Sequence, residues 1–259
     1  HQQPSAMSTQ IGADTTDRIR DQGYAVVEDA FGDEEVQRFR DEADRILELL
    51  VNSSLANDRT GGRLNLVVDS EGNQTIRKVQ PINDLSLAFA DLSRDDRIVD
   101  PIETIMDDSA RLMEEKLNYK QPLPEPVSEL DTSRPSGSFP VHSDWAYYKN
   151  QDYPRETMSA AIALDDLTPE NGTMRFWPGT NGDFIEHGPA DEGGLEVPPE
   201  HVDEDAAEVV EAPAGSLLLF DSIVWHDSSP NKTNSPRRRM IYSYYPAEAG
   251  QERGIVEDE

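Results

Sequence analysis

The chain has 259 residues, with 52 Asp and Glu against 23 Lys and Arg, a formal charge of −29. That balance excludes nucleic acid and anionic membrane surfaces as partners, since both would be repelled; the lack of cysteine excludes disulfide and thiolate chemistry. The length suits one domain with embellishments that buries on the order of 70–75% of its unfolded surface.

In chain order, the hexapeptide from His1 to Ala6 precedes Met7 and is set aside as an added leader. Residues 11–21 read as a short helix and 24–27 as a strand. Residues 33–51 read as an amphipathic helix, because Val36, Phe39, Ala43, Ile46 and Leu50 recur at spacings of three and four, with Asp33 as N-cap. Strands are expected at 63–68 and 75–80, joined by a turn at 69–73. A second long helix is expected over 98–117, with Ile98, Ile102, Ile105, Met106, Leu112 and Met113 partly on one face. From 130 onward, short strands separated by Gly, Pro, Asn and Asp dominate. Asn171-Gly172 is a hairpin signal, 182–211 is an acidic insertion between core strands, and 257–259 is a frayed acidic end.

Helices followed by strands predict a mainly β fold with flanking helices, a double-stranded β-helix (jelly-roll, cupin-like) barrel with a cavity between two sheets. One domain over 1–259 is expected, with N-terminal helices and flanking strands at 7–120 and the jelly-roll core at 130–246. Lysine occupies five positions and acids spread along the whole length, the composition expected of a halophilic organism. At molar salt the Debye length shrinks to about 3 Å and screens self-repulsion. No apolar run approaches membrane-spanning length and no secretory core follows the N-terminus, so a cytoplasmic location is expected.

The chemistry is carried by His142-Ser143-Asp144, by His226, 84 residues after His142, and by Arg237, eleven residues after His226. Two imidazoles and a carboxylate occupy one face of a divalent metal and leave the other positions open, the arrangement of non-haem Fe(II) oxygenases. In an extended strand, residues i and i+2 project to one side about 6.5–7 Å apart, so His142 and Asp144 reach one ion while Ser143 faces away. His226 follows the apolar run from Ser216 to Trp225, which delivers it at a sheet end.

Four ordered blocks extend this pattern: Phe139-Pro-Val-His-Ser-Asp-Trp145, then Ala161 to Thr180 with its Glu-Asn-Gly-Thr and Trp-Pro-Gly-Thr segments, then Ala214-Gly-Ser-Leu-Leu-Leu-Phe-Asp221, and His226-Asp-Ser-Ser-Pro-Asn-Lys-Thr233 leading to Arg237. They span about 137–245 and resemble the phytanoyl-CoA dioxygenase-like family of Fe(II)/2-oxoglutarate oxygenases, ectoine hydroxylases included. The chain departs from that pattern at Pro178-Gly-Thr-Asn181, where the family often reads Pro-Gly-Ser-His; this concerns the substrate and not the metal.

The resemblance implies that His142, Asp144 and His226 bind Fe(II) and that Arg237 pairs with the distal carboxylate of the cosubstrate 2-oxoglutarate, aided by Ser228 and lined by Phe139. Arg suits that task through its planar two-pronged fork. The implied reaction consumes O2, decarboxylates 2-oxoglutarate to succinate and hydroxylates an unactivated C–H bond of a small-molecule substrate. Retention of Asp144 favours hydroxylation over halogenation, because related halogenases leave that position to halide.

Trp145, Tyr147 and Tyr148 open a polar stretch to Arg155 that reads as a loop beside the metal and a candidate cover for substrate. Lys78 and Gln80, with Arg77, either line the same pocket or form a solvated edge. Arg238 is expected on the opposite face from Arg237 and Arg239. His1, His187 and His201 have no partners at ligand spacing and are expected to be exposed and inert. Two other classes stay open on the residues alone: a metal-dependent hydrolase or isomerase, and a non-catalytic binding protein, each on a cupin-like barrel. Neither has a use for Arg237. The primary substrate and the oligomeric state are not legible.

Overall fold

The computed structural model describes residues 6–53, 62–68, 74–121, 138–191 and 193–255. His1, the 69–73 turn and the 257–259 end lie outside the described residues.

The chain opens with helix α1 (Ala6–Gln22), strand β1 (Tyr24–Val27) and helix α2 (Asp33–Ser53), continues through strands β2 (Leu64–Val68) and β3 (Gln74–Val79), helices α3 (Leu87–Leu92) and α4 (Asp96–Met106), and reaches strand β4 (Ala110–Asn118). Next come β5 (Phe139–His142), the single helical turn α5 (Trp145–Tyr148), β6 (Met158–Ala163), β7 (Met174–Trp177), and the short strands β8 (Gly188–Pro189), β9 (Leu195–Glu196) and β10 (Glu208–Val209). Strands β11 (Leu217–Asp221), β12 (Trp225–Ser228) and β13 (Arg239–Pro246) and helix α6 (Ala247–Glu252) follow.

Two sheets face each other as in a jelly roll: a large one in the order β1-β11-β6-β13-β4-β3-β2 and a smaller one in the order β10-β7-β12-β5. The middle of the large sheet, at β6 and β11, is buried and largely apolar on both faces, which explains why those strands read as continuous hydrophobic runs. Leu217 and Leu219 of β11, Ala160 and Ile162 of β6, and Met240, Tyr242 and Tyr244 of β13 pack outward against Ile19, Phe39, Ile46, Phe89 and Ile102 of the helices. Their alternates Leu218, Phe220, Ala161, Ala163 and Ile241 point inward against Met174 and Phe176 of the small sheet. Three tyrosines tie the helical layer down through hydroxyl bonds to backbone carbonyls: Tyr119 to Ala43 (2.8 Å), Tyr242 to Phe89 (2.5 Å) and Tyr244 to Ser93 (2.6 Å).

Several expectations need correction. The helix expected over 98–117 ends at Met106, where Asp107 turns left-handed (φ 52°), and 110–118 is a strand. Glu and Lys in that segment favour helix on their own, but pairing with β13 along its whole length overrides local propensity. Asp33 is the first helical residue of α2 and not its N-cap; the Glu35 carboxylate instead reaches back to accept the Gly32 N–H at 3.0 Å, half of a capping box. Asn171-Gly172 is not the tip of a hairpin within one sheet. It lies in the crossover from β6 of the large sheet to β7 of the small one, where Asn171 and Thr168 exchange side-chain bonds with each other's backbone N–H. The 182–211 segment supplies β10, which pairs with β7 and so extends the small sheet.

Candidate active site

Strand pairing places His142 of β5 directly opposite His226 of β12, with ring centroids 4.4 Å apart. Each Nδ1 lies against a carbonyl two residues earlier in its own chain: His142 against Pro140 O at 2.7 Å and His226 against Val224 O at 3.2 Å. A carbonyl can only accept, so Nδ1 carries the proton in both rings and each Nε2 is left as a free ligand atom. Those two Nε2 atoms lie 3.6 and 3.5 Å from Asp144 Oδ1, and one ligand atom from each of the three residues falls within a mutual 4.8 Å.

Asp144 arrives differently from the strand geometry expected of it. Strand β5 stops at His142, and Asp144 is helical (φ −61°, ψ −31°), with its carbonyl accepting the Tyr147 N–H at 2.9 Å to start α5. The turn is pinned to the connection between β11 and β12 by Trp145 N–H donating to Ser222 O at 2.8 Å. Burial works against the Asp144 charge, yet the two imidazoles beside it hold its pKa well below the usual carboxylate range. Burial, followed by the proximity of His142, pushes the His226 pKa down. Both directions favour an ionised carboxylate and a neutral imidazole, the forms that bind metal. Phe176 and Phe220 wall His226 at centroid distances of 5.7 and 5.3 Å.

Beside the triad lies a buried cationic pocket. Arg237 is 1% exposed; its Nη2 donates to Gly172 O at 2.9 Å, while its Nε and Nη1 have no acceptor. Lys120, 6% exposed, donates from Nζ to the same Gly172 carbonyl and to Ser228 Oγ, each at 2.9 Å. Burial, and then the neighbouring guanidinium of Arg237 and that of Arg239, push the Lys120 pKa well down. Ser228 sits on β12 across from Phe139 of β5, and Phe139 carries the Arg77 guanidinium 3.8 Å above its ring. Arg238 points away, as alternation requires, and is held by Asp165 and Asp44.

The donor set fits the implied groups. Two imidazoles and one carboxylate facing a common point suit Fe(II). Unpaired buried N–H groups of Arg237, beside Lys120, fit the far carboxylate of a keto-diacid, which would satisfy donors that burial otherwise leaves costly.

Trp145 is half-buried, and Tyr147 packs its ring edge-on to His142 at 5.8 Å while its hydroxyl accepts the Leu195 N–H at 2.9 Å. Both belong to the α5 turn and not to the loop expected from 145 onward. Lys78 and Gln80 are half-buried within the sheet and not on a solvated edge, because β2 covers β3. Lys78 donates to Gln80 Oε1 (3.1 Å), Gln80 Nε2 to Glu114 Oε2 (3.2 Å), and Tyr148 OH to Glu114 Oε1 (2.9 Å), a polar chain leading to the Asp144 turn.

His187 is not inert. It is half-buried and stacked on Phe184, and its Nε2 accepts the Ser143 N–H at 2.9 Å, so it braces the residue between His142 and Asp144. The sequence reading does not single out Lys120, and it takes His187 only as an inert surface residue. A lysine just past a strand end in a lysine-poor chain was the one available signal for the first; the second had none.

The profile of the phytanoyl-CoA dioxygenase (PhyH) family matches residues 19–240. The ectoine dioxygenase of Nocardia farcinica is 28% identical over 244 residues, covering 87% of this chain and 75% of the relative. A probable alpha-ketoglutarate-dependent hypophosphite dioxygenase of Stutzerimonas stutzeri is 26% identical over 238 residues, covering 88% and 77%. Among solved structures, EctD from S. alaskensis with bound Fe superposes with a TM-score of 0.70 at 23% identity, covering 95% of this chain and 78% of that one; this likeness establishes the fold.

Proposed function

The chain belongs to the phytanoyl-CoA dioxygenase family, and from that premise we propose that His142, Asp144 and His226 hold Fe(II) and that Arg237, with Lys120 and Ser228, holds the distal carboxylate of 2-oxoglutarate. The protein is an Fe(II)- and 2-oxoglutarate-dependent dioxygenase that hydroxylates an unactivated C–H bond of a small organic molecule. The observation that carries the assignment of residues is the convergence of three ligand atoms within 4.8 Å beside a buried Arg237 with unpaired donors.

When bound, Fe(II) and 2-oxoglutarate supply the oxidising power, with O2 delivering one oxygen atom to succinate and one to the substrate as CO2 leaves. The chain's own work is placement. Backbone carbonyls at Pro140 and Val224 fix both imidazole tautomers. Gly172 O aims Arg237 and Lys120, and Phe139, Phe176 and Phe220 keep the neighbourhood apolar. A hydrolytic metal centre would leave the buried cations without a task, which disfavours that reading.

The test is anaerobic titration with Fe(II) and 2-oxoglutarate, followed through the visible charge-transfer band of a chelated oxo-acid. The band forms with the native protein and is lost in His142→Ala and Asp144→Ala; its absence in the native protein would end the reading. The relatives named for ectoine and hypophosphite support a small-molecule substrate. No described helix is long and apolar enough to cross a membrane. The acid-rich, lysine-poor composition supports a working place in the salt-rich cytoplasm of a halophile. There the melting temperature should climb steeply as KCl rises toward about 1 M, where the Debye length has shrunk to about 3 Å.

A further inference from the structure

The inner wall of the large sheet carries more positive charge than the metal and cosubstrate use. Register sets Lys78 of β3, Asn118 of β4 and Arg239 of β13 side by side, with Ala163 of β6 completing the row. Alternation puts Lys116 and Glu114 on the same face of β4 as Asn118. Once Arg237 and Lys120 are assigned to 2-oxoglutarate, Arg77, Lys78, Lys116 and Arg239 remain, and Glu114 is the carboxylate set among them. Glu114 is already engaged by Lys116 (3.1 Å), Gln80 and Tyr148.

Arg239 is the outlier. It is 5% exposed, its Nε and Nη1 have no acceptor, and Asn118 Oδ1 in the same row and Arg77 Nε, one residue before Lys78 on β3, are likewise bare. Among the described residues no carboxylate forms an ion pair with Arg77 or Arg239. The row of Arg239 faces the triad: Ala163, its partner on β6, packs in the inner cluster with Phe176, which walls His226, and Glu114 on the same face receives the Tyr148 hydroxyl of the α5 turn; burial draws the Arg239 pKa down to about 10. A guanidinium buried without a counter-charge is costly, and here it persists in a chain of net charge −29 whose acids pair with other arginines.

Resting on the dioxygenase reading above, we infer that the primary substrate carries an oxyanion, a carboxylate or a phosphonate, and that Arg239 binds that group. The planar fork of Arg239 offers two parallel donors to a pair of oxygens. Anchoring the anion there places the rest of the molecule between β13 and the triad, and so sets which C–H bond faces the metal.

The experiment uses the full chain, anaerobic and saturated with Fe(II) and 2-oxoglutarate, titrated calorimetrically with butanoate, methylphosphonate and propylphosphonate, each against the uncharged butanamide. The acids should bind roughly 10- to 100-fold more tightly than the amide, the range of a charge-assisted pair. Arg239→Gln should erase that preference, Arg239→Lys should keep part of it, and neither should move 2-oxoglutarate affinity more than about twofold. The stronger of the carboxylate and phosphonate arms names the group. Equal binding of acid and amide, no binding of the acids, or a preference that survives Arg239→Gln overturns the inference. So does a loss of 2-oxoglutarate affinity in Arg239→Gln, which would assign the guanidinium to the cosubstrate. Absence of the charge-transfer band with the native chain defeats the dioxygenase reading instead; the same titrations on metal-free protein then decide the anion site by the same criteria.

Discussion

Gly172→Ala is a small change with a large expected effect. Gly172 has φ +74°, and a Cβ there would lie 2.2 Å from Ser229 O and 2.7 Å from Pro230 O. Holding an L-residue in that conformation costs about 1–3 kcal/mol, and relieving the overlap against backbone adds a further ~1–3 kcal/mol. A loss of about 2–6 kcal/mol is expected in urea unfolding at fixed salt. The second effect is on the site. Gly172 O is the shared acceptor of Arg237 Nη2 and Lys120 Nζ, and the overlap requires a local shift approaching ~1 Å, a misplacement that costs on the order of 100-fold in turnover. Titration of 2-oxoglutarate into the Fe(II)-loaded variant should show weakened binding. A variant within about 1 kcal/mol of the parent, with unchanged cosubstrate affinity, would refute the reasoning that this carbonyl is held in place by the absence of a side chain.

Arg237→Gln should raise the 2-oxoglutarate Kd by roughly 10- to 100-fold, as loss of a charge-assisted pair predicts, with the Fe(II) site intact by metal titration; an unchanged Kd would remove Arg237 from the cosubstrate. His187→Ala strips the acceptor from the Ser143 N–H and should weaken Fe(II) binding about 10-fold, the low end for an outer contact of a metal site, with partial rescue by His187→Asn; equal metal affinity would make His187 a packing residue only. Burial raises the Asp221 pKa to about 6 from 3.8. A raised carboxyl means that the folded state binds more protons between those values, so this group's contribution to stability is full below about pH 4 and is lost as pH climbs through 6, by at most ~2–3 kcal/mol. Asp221→Asn should flatten that slope, because the amide oxygen can still accept from Ile223 and Val224 N–H; parallel pH profiles for the two proteins would contradict it.

His142, Asp144 and His226 were legible because spacing and flanking blocks are local properties of the chain. The reason given for their convergence was only half right, since Asp144 is turned in by the α5 helical turn and not carried on a strand. The long strand β4 was hidden by residues that favour helix in isolation, and only its pairing with β13 decides its form. Lys120 and the interior setting of Arg77 were beyond reach for a related reason. Ser228 lies 108 positions from Lys120, and Phe139 is far along the chain from Arg77, and no short motif encodes contacts made between sheets.

The 182–211 segment meets the stretch that carries Asp144 through His187 to Ser143 and through Leu195 to Tyr147. Within it, β8 and β9 form a small ribbon outside both main sheets. Replacement of 188–196 by the equivalent stretch of a relative would therefore leave the ladders of both main sheets intact while changing what holds Tyr147 against His142, making this ribbon a natural graft for reshaping the surroundings of the triad.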